Sequence, residues 1–343
     1  MRLPCLLLLL TLLPACDPSP AAAPEVTPDG GPTPDQAARF DLATPILAGD
    51  GPAPLDLALG DAPPPDDAAP ALDGGTGDGG AKRLPDRIAL VIIVGDSVAA
   101  GYNAQGLNAA GGHGYARLTV NNHKDFPAYQ GHDLATLFPG VDFRSAAKSG
   151  ATSSDTVGNL KSALAGSLPK SVPGDVVVLI NVGGNDFNDS PTVMVSPQLT
   201  ANAAAKLRQN LAQIVQLLKA RYDDPQQGKE VLFLFDNIHD PTDGMGSVPK
   251  QFTNGFCKLL ANPLFTPQVR QIVLANLATM NAAIAAEATA QGARLVDIHR
   301  GFLGHGMSSG AGRWIDTDCV HPTNPGHDLI RRLAWEQLTG ERF

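Results

Sequence analysis

The stretch "VIIVGDSVAAG", residues 91–101, decides how the chain is read. Four β-branched apolar residues run without polar alternation, then stop at Gly95, Asp96 and Ser97. An uninterrupted run of this kind marks a strand covered on both faces, as in a parallel sheet flanked by helices. In such sheets ligands bind beyond the carboxyl ends of the strands, where this serine stands. Working outward from the first strand (87–94), similar runs recur as "VDFRSAA" (141–147), "DVVVLINV" (175–182), "EVLFLFDN" (230–237) and "ARLVDI" (293–298). Helical patterns lie between and after them. Residues 200–222 carry Leu207, Leu211, Ile214, Leu217 and Leu218 at helical spacing. Residues 266–292 open on Thr266 and Pro267 and stop at Gly292, and residues 324–340 again have Pro just inside and Gly at the end. The alternation predicts an α/β fold, one doubly wound domain over residues 84–343.

The remainder of the 343-residue chain has a different character. Residues 1–16 begin Met1, Arg2 and continue "LPCLLLLLTLLPAC", an apolar core too short for a permanent bilayer span and therefore expected to be a secretion leader. Its end, "LPAC" (13–16), resembles a bacterial lipobox, with Pro14 a departure from the usual occupant. The resemblance implies that Cys16 is lipidated and becomes the first residue of the mature protein. The alternative is an ordinary signal peptide cut near "PAAAP", with Cys16 discarded. Several acyl chains would hold the protein stably on a cell-envelope membrane, on its periplasmic or surface side. Asp17 after the cysteine implies, by the same resemblance, retention at the inner membrane of a Gram-negative cell.

Residues 17–83 hold twelve acidic and three basic residues, which accounts for the whole formal net charge of −9. The segment is crowded with Pro, Ala, Gly and Asp, a composition that cannot bury enough apolar surface to offset chain ordering. A disordered tether is expected, with an end-to-end distance of roughly 45 Å. The near-neutral remainder has no basic patch, which argues against a nucleic-acid partner.

Four polar segments follow the strands or precede the last helix. Ser97 is expected at the start of a helix, where free amides favour negative charge, although a serine there could merely cap it. In "KSGATSSD" (148–155), Gly150 allows close backbone approach to a ligand, or makes an ordinary turn. In "VGGNDFND" (182–189), the Asn185 amide suits a developing oxyanion, or closes an Asx turn. In "WIDTDCVHPTNPGHDLI" (314–330), Asp318 and His321 are three apart, close enough for the carboxylate to accept the imidazole Nδ1 proton and leave Nε2 as a base. Pro322 and Pro325 stiffen that loop, and His327 one turn on is expected to be structural.

These four segments, in this order, resemble the blocks of the SGNH or GDSL serine hydrolases over about residues 87–338. Gly95, Asp96 and Ser97 match the first block, with Val98 in place of the name-giving leucine. Gly150 matches the second, Gly183 to Asp186 the third, and Asp318, His321 and Pro322 the last. The resemblance implies a three-layer α/β/α sandwich with a five-stranded parallel sheet of flavodoxin-like type. It implies Ser97 as nucleophile, His321 as base and Asp318 as its orienting acid. The oxyanion donors would be the Ser97 and Gly150 amides and the Asn185 side chain. No metal or organic cofactor is required. Asp316, out of register, is expected to be a loop or substrate contact, and Asp186 a brace for its own loop.

Loss of Cys5 with the leader and lipidation of Cys16 leave Cys257 and Cys319, an even pair in an oxidising compartment. A disulfide between them is expected, with two free buried thiols as the alternative. Segments 235–249 and 101–118 are rich in turn residues and are expected to form flexible rims that choose substrate. The expected activity is carboxylic ester hydrolysis by a monomer. A lipase acting on acyl chains and an esterase removing acetyl groups from polysaccharide both remain open, as does a small-molecule ester. An acyltransferase using the same intermediate and a non-catalytic binding lipoprotein on the same fold are the other readings.

Overall fold

Residues 91–94 lie at the centre of strand β1 (Ile88–Gly95), in which every side chain but that of Ala89 is buried. The structure, a computed structural model, describes residues 84–104, 114–121, 127–188, 190–252, 255–263 and 265–342. The expected leader, with Cys5 and Cys16, and the expected tether from Asp17 to residue 83 lie outside the described residues.

After β1 come helices α1 (Tyr115–Val120) and α2 (Leu134–Leu137), strand β2 (Asp142–Ser145), helix α3 (Ser153–Ala165) and strand β3 (Asp175–Asn181). Helices α4 (Gly184–Asn188), α5 (Pro191–Val195) and α6 (Pro197–Tyr222) lead to strand β4 (Val231–Asp236). Helices α7 (Gly255–Leu260) and α8 (Pro267–Gln291), strand β5 (Arg294–Val296), helix α9 (Ile298–Phe302) and helix α10 (Asn324–Thr339) complete the order.

The five strands pair in parallel in the order β2-β1-β3-β4-β5. The inner strands are almost wholly buried, as a sheet covered on both faces demands. The edges are short: β2 exposes Arg144 and Ser145, and β5 has three residues. Helices α3, α6 and α8 pack one against the next, while α1, α10 and α9 form a second packed row. Two helix rows around one sheet give the α/β/α sandwich. On α6, Leu207, Leu211, Ile214 and Leu218 are fully buried, each worth about 1.5–3 kcal/mol.

The register aligns Gly95 with Asn181, Asn181 with Asp236 and Asp236 with Val296. The loops that follow β1, β3, β4 and β5 therefore leave the sheet at one level. The winding reverses between β1 and β3, which opens a crevice there.

Several boundaries differ from the sequence expectations because capping, rather than apolar spacing, sets them. Helix α6 begins at Pro197, earlier than its leucine pattern, after Ser196, whose hydroxyl accepts from Leu199 N. Strand β5 stops at Val296 because Asp297 caps α9 by accepting from Arg300 N. Segment 148–155 is half turn and half helix start, since Thr152 and Asp155 form a capping box at the head of α3. Helix α8 keeps the ends its sequence predicts, Thr266 capping Val269 N and Gly292 in the left-handed conformation.

Candidate active site

The site begins where β1 runs out of room. Gly95 has φ +144°, and a Cβ there would lie 1.8 Å from Asn181 O, so any other residue would separate β1 from β3. The next residue continues the contact: Asp96 N donates to Asn181 O at 3.1 Å, and Asp96 Oδ1 accepts from Val98 N at 2.9 Å. This lifts Ser97 to the mouth of the crevice, 6% exposed.

The helix expected at Ser97 does not form within the described residues. Turns replace it, with Ala100 N donating to Asp96 O and Tyr102 N to Ser97 O. Gly101 and Asn103 have φ of +78° and +61°, values that a right-handed helix cannot contain. The turns carry Tyr102 and Asn103 toward the loop that holds His321. Of segment 101–118, expected as a flexible rim, the described end at 101–104 takes part in the site and the described end at 114–118 in helix packing. Tyr102 and Asn103 meet the site, and α1 packs against α10. Its residues 105–113 lie outside the described residues.

His321 bridges Ser97 and Asp318. Its Nε2 lies 2.8 Å from Ser97 Oγ and its Nδ1 2.6 Å from Asp318 Oδ2. With the imidazole proton on Nδ1, the Ser97 hydroxyl donates to Nε2. Asp318 Oδ1 accepts from Val320 N at 2.9 Å and His321 N at 3.0 Å, so the carboxylate also closes the turn that presents the ring. Burial alone would raise the Asp318 carboxyl. The hydrogen bonds and charge of His321, with the amides of His321 and Val320, instead hold it below the ordinary carboxylate value.

Three supports for this loop were not identified from sequence. Asn103 Nδ2 donates to Asp316 Oδ2 at 2.8 Å and to Asp318 Oδ2 at 3.2 Å, which makes Asp316 a loop contact. The Tyr102 ring lies 4.3 Å from the His321 ring. His239, in segment 235–249, places Nε2 2.8 Å from Val320 O, and burial drives its pKa down to about 4. It is therefore neutral near pH 7 and donates the Nε2 proton to that carbonyl. His327, buried on α10, places Nε2 3.2 Å from Tyr102 O.

Opposite this loop stand Gly150 and Asn185. Gly150 has φ +78°, a conformation that favours glycine. Asn185 Nδ2 donates to Ala151 O at 2.9 Å, which fixes the amide beside the Gly150 turn and leaves its second proton available. Among the described residues, neither the Ser97 N–H nor the Gly150 N–H has an acceptor. Asp186 braces its loop from outside, through the head of α3. It accepts from Ser153 N at 2.8 Å and Ser153 Oγ at 2.6 Å, stapling the loop after β3 to the head of α3. Asn210 Nδ2 completes the staple by donating to Ser153 Oγ at 2.8 Å and Ser154 Oγ at 3.0 Å. Burial raises the Asp186 carboxyl. Below Ser97, burial also raises Asp96 and Asp236 to about 7, and Asn181 Nδ2 donates to Asp236 Oδ2 at 3.0 Å.

Cys257 on α7 and Cys319 are joined by a disulfide with Cα atoms 5.1 Å apart. Cys319 lies between Asp318 and Val320 and has φ +61°, a left-handed conformation uncommon for residues other than glycine. Closing a loop of 62 residues stabilises the fold by about 4 kcal/mol on the chain-entropy account. Among the described residues, no group of three or more His, Cys, Asp or Glu side chains is placed to hold a metal ion.

A serine hydroxyl on an imidazole braced by a carboxylate, at the carboxyl ends of a parallel sheet, is the arrangement of a serine hydrolase. Residues 93–329 match the GDSL-like Lipase/Acylhydrolase family, and the chain belongs to it. The protein is a serine ester hydrolase by class.

Three solved structures similar to the chain come from bacteria. Phospholipase A1 from Streptomyces albidoflavus NA297 is 21% identical, with a TM-score of 0.45 over 70% of this chain and 95% of that chain. The extracellular lipase from Streptomyces rimosus is 21% identical, with a TM-score of 0.47 over 72% and 98%. The psychrotrophic esterase EstA from Pseudoalteromonas sp. is 18% identical, with a TM-score of 0.41 over 74% and 97%. A comparison with curated proteins found no match.

Proposed function

We propose that the protein cleaves carboxylic esters in the bacterial cell envelope through an acyl-enzyme on Ser97. The observation that carries this reading is the continuous chain from Asp318 Oδ2 through His321 to Ser97 Oγ, with links of 2.6 and 2.8 Å. Serine is a weak nucleophile and needs an adjacent base. As Ser97 Oγ attacks the ester carbonyl, its proton passes to His321 Nε2, and Asp318 stabilises the imidazolium. The imidazolium then protonates the departing alkoxide. Water, deprotonated by His321, attacks the acyl carbon, and as the bond to Ser97 Oγ breaks the imidazolium returns its proton to that oxygen, releasing the acid. The oxyanion formed in both halves is held by the Ser97 N–H, the Gly150 N–H and Asn185 Nδ2.

A fluorophosphonate probe tests the reading. Its phosphonyl group is expected on Ser97 with simultaneous loss of p-nitrophenyl ester hydrolysis. An unlabelled Ser97 and no turnover would remove the proposal and leave a binding lipoprotein on a hydrolase fold. Asn185→Ala is expected to lower kcat by about 10²- to 10³-fold, the scale of one lost oxyanion donor. Unchanged kcat in a variant with unchanged circular dichroism would dismiss that role.

The sequence "LPAC" and the acidic segment 17–83 support an exported enzyme held to a membrane by lipid on Cys16. On such a tether it would reach lipid, acylated polysaccharide or small-molecule esters nearby. Cys16→Ala should move the full-length protein from the detergent phase to the aqueous phase, and an unchanged partition would refute the anchor.

A further inference from the structure

Asn103 stands on the turn that presents Ser97, yet its side chain reaches the loop that presents His321. We propose that Asn103 is a positioning residue for the reaction. Its amide closes the Ser97, His321 and Asp318 chain into a ring and offsets the charge of Asp316 beside Asp318. This inference rests on the roles proposed above for Ser97, His321 and Asp318.

Three observations carry it. The first is the chemistry of the contact. Asn103 Nδ2 lies 2.8 Å from Asp316 Oδ2 and 3.2 Å from Asp318 Oδ2. Carboxylate oxygens only accept, so the atom between them is the amide nitrogen, with one of its two protons toward each. Like charges held side by side disfavour the ionised form, and charge-assisted hydrogen bonds from one donor group to both offset that repulsion. Asp318 must stay ionised to orient His321 and stabilise its imidazolium.

The second is the source of the donors. Asp316 Oδ1 accepts from Thr317 N, Asp318 Oδ1 from Val320 N and His321 N, and Asp318 Oδ2 from His321 Nδ1. These donors all belong to the loop itself. Among the described residues, Asn103 supplies the only hydrogen bonds to either carboxylate from outside residues 316–321. Two further ties of this loop, His239 Nε2 to Val320 O and the bridge to Cys257, run to segments that follow β4. Asn103 is what joins the carboxylates to the turn of Ser97.

The third is the backbone. Asn103 has φ +61°, in a turn where Tyr102 N donates to Ser97 O and Ala104 N to Gly101 O. Asparagine enters this left-handed region more readily than most residues. Glycine would take the conformation but offer no side-chain donor, and aspartate would add a third acceptor.

The test is kcat and KM of the purified full-length protein on p-nitrophenyl hexanoate. Asn103→Gly keeps the left-handed turn and removes both donors. It is expected to lower kcat about 10- to 100-fold, the scale of a hydrogen bond to a charged group. KM should stay within about threefold, because neither Asn103 nor Asp316 lines the cavity that adjoins Ser97. Adding Asp316→Asn removes the repelling charge and should raise kcat about threefold or more above the single variant, although Asp316→Asn in the parent should not raise it. A side chain that merely filled the turn would give no such recovery. Asn103→Asp, the same shape with acceptors in place of donors, serves if the glycine variant does not fold, with the same loss and the same recovery expected. A kcat within about threefold of the parent, a loss confined to KM, or a double variant without recovery, each in folded protein, would overturn the positioning role and leave the esterase reading intact. Absence of turnover by the parent, with Ser97 unlabelled by the fluorophosphonate probe, would overturn the esterase reading and this role with it.

Discussion

Ser97→Ala is expected to lower kcat for p-nitrophenyl hexanoate by about 10⁶-fold, the scale on which loss of a triad nucleophile acts. On the proposed mechanism, no acyl-enzyme can form without Oγ. The residual rate would come from water attacking an ester that Asn185 and the backbone amides still polarise. The fold should survive, because among the described residues the Ser97 hydroxyl makes one hydrogen bond, to His321 Nε2. Losing it costs about 0.5–1.5 kcal/mol. The variant should therefore melt within a few degrees of the parent while losing activity. Activity within tenfold of the parent would show that another group is the nucleophile.

Asp318→Asn is the second large effect, expected at about 10⁴-fold in kcat. The carboxylate has two tasks. Its Oδ2 accepts the Nδ1 proton of His321, and its Oδ1 accepts the amides of Val320 and His321. Asparagine can keep the second with its carbonyl oxygen, so the turn is retained. Its amide nitrogen then faces Nδ1 as a donor. That favours the imidazole tautomer with its proton on Nε2, which cannot accept the Ser97 proton. KM should change little, since Asp318 is not among the residues lining the cavity beside Ser97. A kcat within tenfold of the parent would show that Asp318 does not select the tautomer. A comparable loss in Asp316→Asn would move the orienting role to the neighbouring carboxylate.

The candidate site was legible in the sequence to the extent that its chemistry is written in short segments. Gly95 to Ser97 and Asp318 to His321 declare themselves because a strand end and a three-residue spacing are local properties. The structure brings those segments within hydrogen-bonding distance of each other. The supports were not legible for the opposite reason. Asn103 contacts Asp318 across 215 positions, His239 contacts Val320 across 81, and Asp186 meets Ser153 across 33. No spacing or periodicity encodes such pairs.

The sequence by itself determined the elements whose signal is a local balance of burial and capping. These are the inner strands, whose apolar runs need cover on both faces, the long helices α6 and α8, and the stops at Gly292 and Gly340. Tertiary structure alone decided what depends on meeting a distant partner. Gly101 and Asn103 take positive φ and end any helix at Ser97, and the resulting turn brings Asn103 to the aspartates of the histidine loop. Asp186 braces its loop by reaching the head of α3, where Ser153 offers it two donors. The size of the cavity beside Ser97 is set by Met194, Leu260 and Leu277, which come from three helices and become one wall when packed. Apolar side chains carry their hydrophobicity into any fold, but the space left between them exists only once the helices are in place.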